Sequence, residues 1–115
     1  LSPVPSLPLD DPEYKPWGAY WRGGVWPPTN YMVLCGLRKQ GREDLARELA
    51  GRMFAVVETV FQQTGTFWEN VAPEFPAYGN PSRPDFCGWS ALIPIAVSRE
   101  FLNELKCSDV GRPFS

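Results

Sequence analysis

Three short stretches of the chain hold most of the side chains that could do chemistry. In the first, Trp17, Tyr20, Trp21, Arg22, Gly23, Gly24, Val25 and Trp26 bring four aromatic rings and one guanidinium into ten residues. Flat aromatic faces stack on the apolar C–H faces of sugar rings, and the planar, five-donor Arg suits hydroxyl or carboxylate groups. The same composition also describes a hydrophobic anchor with Arg22 held in a structural ion pair, because aromatics bury large areas wherever they fall. In the second stretch, Thr66, Phe67, Trp68, Glu69 and Asn70 set a carboxylate among aromatics. Partial desolvation of such a group raises its pKa toward the range useful for general acid or base work, whereas the plain alternative is a solvated loop Glu. Asn70 could orient a neighbour or cap a turn, and Glu74 and Asp85 are the reserve carboxylates. The third stretch, Asp85, Phe86, Cys87, Gly88, Trp89 and Ser90, leads into an apolar run, and both Asp85 and Ser90 read as helix N-caps.

What the chain lacks narrows the chemistry further. Its 115 residues contain no His, and Cys35, Cys87 and Cys107 show no ligand-like spacing, which sets aside zinc sites and His-dependent triads. No metal or cofactor is expected, and carboxylates are the remaining acid–base equipment. Eleven Lys and Arg against 13 Asp and Glu leave a net charge of -2, so no basic excess argues for nucleic acid or anionic lipid. Apolar stretches break well before the roughly 18 residues that a membrane span needs. The three cysteines read most simply as small buried or surface residues, with nothing in the sequence to support a disulfide between two of them.

The elements that must position these groups can be read from pattern. Residues 1–16 contain five prolines and read as an extended, Pro-rich arm, 17–106 as the main body, and 107–115 as a tail. Pro27 and Pro28 before an apolar run, with Gly41 after it, predict a helix over 29–40 with almost no polar face. A second helix is predicted over 43–64, with Leu45, Leu49, Met53, Val56, Val57, Val60 and Phe61 at steps of three and four. Glu43, Arg47, Glu48, Arg52, Glu58 and Gln62 form its solvent stripe, and Gly65 ends it. A third helical segment over 88–106 is apolar through Val97, and Pro94 must fall in its first turn or kink it. No strand pattern appears. The expected class is all-α, with the first and third helices largely buried and the second half-exposed. The stretches 1–29 and 65–88 exceed ordinary loop length and are expected to need outside surfaces to lie on. With no initiator Met and no leader pattern at its start, the chain reads as either a processed product or an internal piece of something longer, and the long loop-like stretches favour the piece.

The ordered blocks of the sequence resemble one family. The run from Tyr20 through Trp21, Arg22, Gly23, Gly24, Val25, Trp26, Pro27, Pro28, Thr29, Asn30 and Tyr31 to Met32, followed by GLRKQGREDLARELA, is similar to the YWRG-x-[VI]-W…NY…GL…YG…LA pattern of glycoside hydrolase family 63 and its trehalase-like and mannosylglycerate-hydrolase-like relatives. Residues 65–70 resemble that family's G-x-[FW]-x-E-[NK]-Y-x-P segment, and 86–96 its closing F-x-GW-[ST]-x-L-x-P-I-A helix. The resemblance covers most of 18–102, with Gly24 and Val71 departing from the family's frequent Pro and Tyr.

This resemblance implies an (α/α)6 toroid, of which the three helices would be the last inner, outer and inner members. It implies inverting hydrolysis by two carboxyl groups. Glu69 matches the general base; the matching acid, an Asp, lies upstream of the Tyr20–Trp21–Arg22 block and outside this chain. By the same resemblance Trp21, Arg22, Trp26, Asn30 and Trp68 would line the sugar pocket and Trp89 would close it. The implied partners are an oligosaccharide, disaccharide or small glycoside and the missing N-terminal part of the toroid. Taken alone, the chain is then expected to be inactive. A reading from another class is a non-catalytic carbohydrate-binding or interaction module that uses Trp21, Trp26 and Trp68 as a stacking platform.

Overall fold

The computed structural model describes residues 2–102. Cys107, the tail 107–115 and the last part of the third predicted helix lie outside the described residues. Helix α1 spans Pro27–Lys39, starting two residues before the predicted Thr29 because Pro27 and Pro28 themselves take the first helical positions. Their missing amides fall where a helix leaves donors unpaired in any case. The helix ends on its basic last turn, Arg38 and Lys39, and Gly41, with φ 76°, reverses the chain.

Helix α2 spans Glu43–Thr64, the predicted bounds, with Glu43 and Asp44 in its first turn and left-handed Gly65 at its end. Ala46, Ala50, Met53, Val56 and Val60 are buried, and the predicted polar stripe faces solvent. The two alanines let neighbouring elements approach the axis closely, while Leu45 and Leu49 are only half-buried at the margin.

The third helical run differs from a regular α-helix. A 3-10 turn at Trp89–Leu92 leads into a π-helix at Ile93–Leu102, so Pro94 sits at the second position of the wider coil. Its ring nitrogen has no hydrogen to give, and the change of helix type falls at that point. Neither predicted N-cap caps this run: Gly88 takes the cap position and no side chain bonds there. Ser90 lies buried inside the turn and donates to the Trp68 carbonyl instead, and Asp85, at φ 54°, accepts from Thr66 Oγ1.

The chain is all-α, with three helical elements and no strands among the described residues, as expected for an all-α piece of a helical toroid. One core joins the elements: Leu34 from α1, Ala46, Ala50, Met53, Val56 and Val60 from α2, and Ile93, Val97 and Phe101 from the third run. Phe101 is held further by an edge-on contact with Tyr31 at 6.4 Å and by the Arg38 guanidinium 4.0 Å over its ring. The Tyr31 hydroxyl donates to Glu100 at 2.6 Å, and that bond to a carboxylate raises its pKa. The α1 surface away from this core is open, with Met32 71 % exposed.

The long stretches that were expected to need outside surfaces lie on each other. Isolated bridges pair Gly18 with Asn80, Val25 with Val71 and Val71 with Tyr78. Residues 2–16 run along the same layer: Ser2 donates from its amide to Pro73 and from its hydroxyl to Ala72, and Ser6 donates to the Gly24 carbonyl. Backbone groups that two free loops would leave unpaired are thereby satisfied within the chain.

Candidate active site

Glu69 stands between two anchored turns. Gly65 turns the chain out of α2, and Thr66 and Asp85 lock the exit by exchanging hydrogen bonds, Thr66 Oγ1 donating to Asp85 Oδ1 and accepting from the Asp85 amide. From there the chain runs extended between two neighbours. Phe86 donates to the Phe67 carbonyl, Glu69 donates to the Arg83 carbonyl at 3.0 Å, and Val71 exchanges both backbone bonds with Val25. The residue after Val25 is Trp26, the last before α1. Pairing of 25 with 71 therefore brings the aromatic stretch alongside the segment that carries Glu69.

The Glu69 side chain is only 6 % exposed, and its Oε1 is buried without a hydrogen-bond partner. The expectation of a solvated loop carboxylate does not hold here. An unpaired buried oxygen is costly to keep, and Oδ1 of the next residue, Asn70, is in the same state. Among the described residues no donor meets Glu69 Oε1, and it has almost no open surface of its own.

Beside this segment lies an aromatic cluster. Trp21 stacks on Trp26 with centroids 3.8 Å apart and planes at 5°, and Tyr20 meets Trp26 edge-on at 4.7 Å. Trp89 meets Trp26 at 6.2 Å and donates from Nε1 to the Glu69 carbonyl at 3.4 Å, which ties the cluster to the carboxylate-bearing peptide. Trp26 is buried, whereas Trp21 and Trp89 remain 46 % and 40 % exposed, so the cluster has a buried floor and open rings above it. The loop reaches this shape because Ala19 and Tyr20 adopt left-handed backbone, turning the Tyr20 carbonyl to accept from both the Gly24 amide and Trp26 Nε1.

Other residues expected at the site take different places. Trp68 belongs to a second stack, on Tyr78 at 3.9 Å, and donates from Nε1 to Thr64. Arg22 is paired with Glu13 of the arm, as the ion-pair reading has it; both partners are about half-exposed or more, so the pair adds little stability. Asn30 is buried and its amide is used within the chain. Its Oδ1 accepts from the Val4 amide, and Nδ2 donates to the carbonyls of Val4 and Trp26. Of the reserve carboxylates, Glu74 accepts from the Tyr14 hydroxyl and Asp85 is held by Thr66, and both are exposed. Burial and the nearby Glu74 push the Tyr14 phenol up to about 12. Cys35 and Cys87 are free thiols.

Asn70 is a residue whose part the sequence left open. It is fully buried, with Nδ2 donating to the Pro81 carbonyl at 3.3 Å, and its backbone is bonded to Ser82 and Gly79. Its Oδ1 lies over two glycines: a Cβ on Gly79 would come within 1.7 Å of it, and one on Gly24 within 3.2 Å. Asn70 thus ties the carboxylate segment to the 78–82 turn and packs close to the aromatic loop at Gly24. A groove of about 360 Å³ between the arm, α2 and residues 74–76 shares no residue with this cluster. Among the described residues, no group of three or more His, Cys, Asp or Glu could hold a metal ion, and no helix is long and apolar enough to cross a membrane.

Residues 2–90 match the family model of the mannosylglycerate hydrolase MGH1-like glycoside hydrolase domain. The chain belongs to this family. Among curated relatives, it is 33 % identical over 91 residues to alpha-glucosidase 2 of Arabidopsis thaliana, covering 71 % of the chain and 11 % of that protein. It is 31 % identical over 109 residues to a probable mannosyl-oligosaccharide glucosidase of Schizosaccharomyces pombe, covering 85 % of the chain and 13 % of the relative. A 55-residue stretch is 40 % identical to mannosylglycerate hydrolase of Thermus thermophilus, covering 48 % of the chain and 13 % of that enzyme. The chain therefore spans little more than a tenth of the length of these relatives. The carboxylate segment and the aromatic loop both fall inside the matched glycoside hydrolase domain.

Proposed function

We propose that the chain forms part of the active-site wall of an inverting glycoside hydrolase, with Glu69 as the general base. The observation that carries this reading is the buried Glu69 Oε1 with no partner in the chain, next to an aromatic cluster with open faces. A sugar stacked on Trp21, with Trp89 at its edge, would be held by ring faces while the carboxylate stays out of bulk water. Arg22 has one nitrogen on Glu13 and stays half-exposed, with donors left for a sugar hydroxyl, and Asn30 and Trp68 act at a remove, through the residues that they hold.

In the proposed reaction a water attacks the anomeric carbon and gives its proton to Glu69. The bond from that carbon to the leaving oxygen breaks, and the leaving oxygen takes a proton from the second carboxyl group, which the family resemblance assigns to an Asp outside these 115 residues. The configuration at the anomeric carbon inverts. The names of the relatives point to α-glucosides, mannosyl-oligosaccharides or mannosylglycerate as the substrate class. The second carboxyl group and the remainder of the ring are the partners that the chain requires, and the 115 residues alone are expected to show no turnover.

Glu69→Gln in the full-length protein tests this. Loss of a general base costs on the order of 10²- to 10⁴-fold in kcat, and the near-isosteric amide should leave substrate affinity by calorimetry within about threefold of wild type. Unchanged turnover would remove Glu69 from the mechanism. Sugar binding by the isolated chain that is lost in Trp21→Ala and indifferent to Glu69→Gln would instead favour a non-catalytic binding module.

A further inference from the structure

The Glu69 carboxylate has no hydrogen bond at Oε1, so the position of that oxygen depends on the peptide that carries the side chain. Two consecutive residues at the start of the third helical run hold this peptide. Ser90, 2 % exposed, donates from Oγ to the Trp68 carbonyl at 2.6 Å, the carbonyl of the peptide bond that enters Glu69. Trp89 donates to the next carbonyl, that of Glu69 itself, at the longer distance of 3.4 Å. On the amide side Glu69 donates to Arg83. The Ser90 bond is the shortest of the three, and it spans 22 residues between two elements with no backbone pairing of their own at this point.

The 3-10 geometry accounts for this placement. Ser90 follows the Gly88 cap, and its side chain points inward from the tight turn, where an α-helical N-cap serine would turn back on its own helix. Its hydroxyl is thereby released from local capping and given to a tertiary partner. The other groups around Glu69 do not replace it: Thr66 is engaged with Asp85, and Ser82 with Asn70.

We propose that Ser90 is a positioning residue for the reaction, fixing the orientation of Glu69 through the Trp68 carbonyl without touching substrate. This rests on the general-base reading of Glu69. Loss of the bond leaves the Trp68–Glu69 peptide held at its amide by Arg83 but no longer at its carbonyl, and misplacement of a base by a fraction of an ångström lowers the chemical step while leaving sugar stacking on the aromatic cluster intact.

The test is a double-mutant cycle in the full-length enzyme, with turnover of an aryl glycoside as readout. Ser90→Ala, and Ser90→Cys as a variant close in volume that is a poor donor, should each lower kcat about tenfold with KM within about twofold. Ser90→Thr, which keeps the hydroxyl, should recover most of the activity. In the Glu69→Gln background, Ser90→Ala should cost less than about twofold, because its effect passes through the missing carboxylate. Circular dichroism melts of each variant report whether the fold is intact. Equal losses in both backgrounds, a change in KM alone, or wild-type kcat in Ser90→Cys would overturn the role of Ser90. Wild-type activity in Glu69→Gln would overturn the base assignment, and the positioning role with it.

Discussion

Gly79→Ala isolates the fastening role of Asn70. The added Cβ would lie 1.7 Å from Asn70 Oδ1 and 2.9 Å from its Cγ, so Asn70 must move; the next atom, the Val71 carbonyl carbon, is at an ordinary 3.5 Å. Gly79 does not have a positive φ, and the cost is therefore steric and not conformational. Asn70 is fully buried and cannot swing into solvent, and displacing it breaks the 3.3 Å bond to the Pro81 carbonyl. Overpacking costs about 1–3 kcal/mol and the lost bond about 1 kcal/mol, so Gly79→Ala should destabilise by roughly 2–4 kcal/mol. Equilibrium denaturation in urea, followed by far-UV circular dichroism, measures this. The decisive comparison is made in an Asn70→Ala background, where the clash has no target and the same substitution should cost less than about 1 kcal/mol. Gly24→Ala provides the contrast, because its Cβ would fall 2.3 Å from the Tyr20 backbone carbonyl and its penalty should persist without Asn70. A Gly79→Ala protein within about 0.5 kcal/mol of wild type, or a penalty undiminished in the Asn70→Ala background, would refute the reasoning.

Two further outcomes follow from the same geometry. The Tyr14 phenol, held up to about 12 by burial and Glu74, should titrate well above the ordinary phenol value of 10.0 in an absorbance titration, and Glu74→Gln should bring it part of the way back. Because the folded form holds this proton more tightly than the unfolded form, its contribution is fully present below pH 10 and is lost as pH rises through 12. Met53→Ala, at a position 1 % exposed in the shared core, should cost about 2–4 kcal/mol in the urea midpoint experiment, whereas the exposed Met32→Ala should stay within about 0.5 kcal/mol.

How much of this was legible in the sequence depends on how local each cause is. The bounds of α2 follow from a periodic apolar face and Gly65, all within 22 residues, and they match the structure. Asp85 and Ser90 have the chemistry of N-caps, but each found a tertiary partner, at 19 and 22 residues' separation, and no local pattern encodes that choice. The change from 3-10 to π coil was signalled only by Pro94, which marked a disturbance without saying which helix type would absorb it. The pairing of Val25 with Val71 joins two stretches that look like structureless loops when read separately, and Glu69, two residues before Val71, is buried. Arg22 was readable as one half of an ion pair, but its partner, Glu13, sits in an arm that resembles a linker. The aromatic cluster was readable as composition, while the separation of Trp68 into a stack with Tyr78 was not.

The most direct test of Glu69 as the base of an inverting hydrolase is chemical rescue of Glu69→Ala in the full-length enzyme. Azide is already an anion and needs no base to attack the anomeric carbon, and it is small enough for the space that the lost carboxylate leaves. With an activated aryl glycoside, added azide should restore turnover by at least tenfold, and proton NMR should identify a glycosyl azide whose anomeric configuration is opposite to that of the substrate. No rescue together with intact substrate binding, or a glycosyl azide of retained configuration, would contradict the assignment.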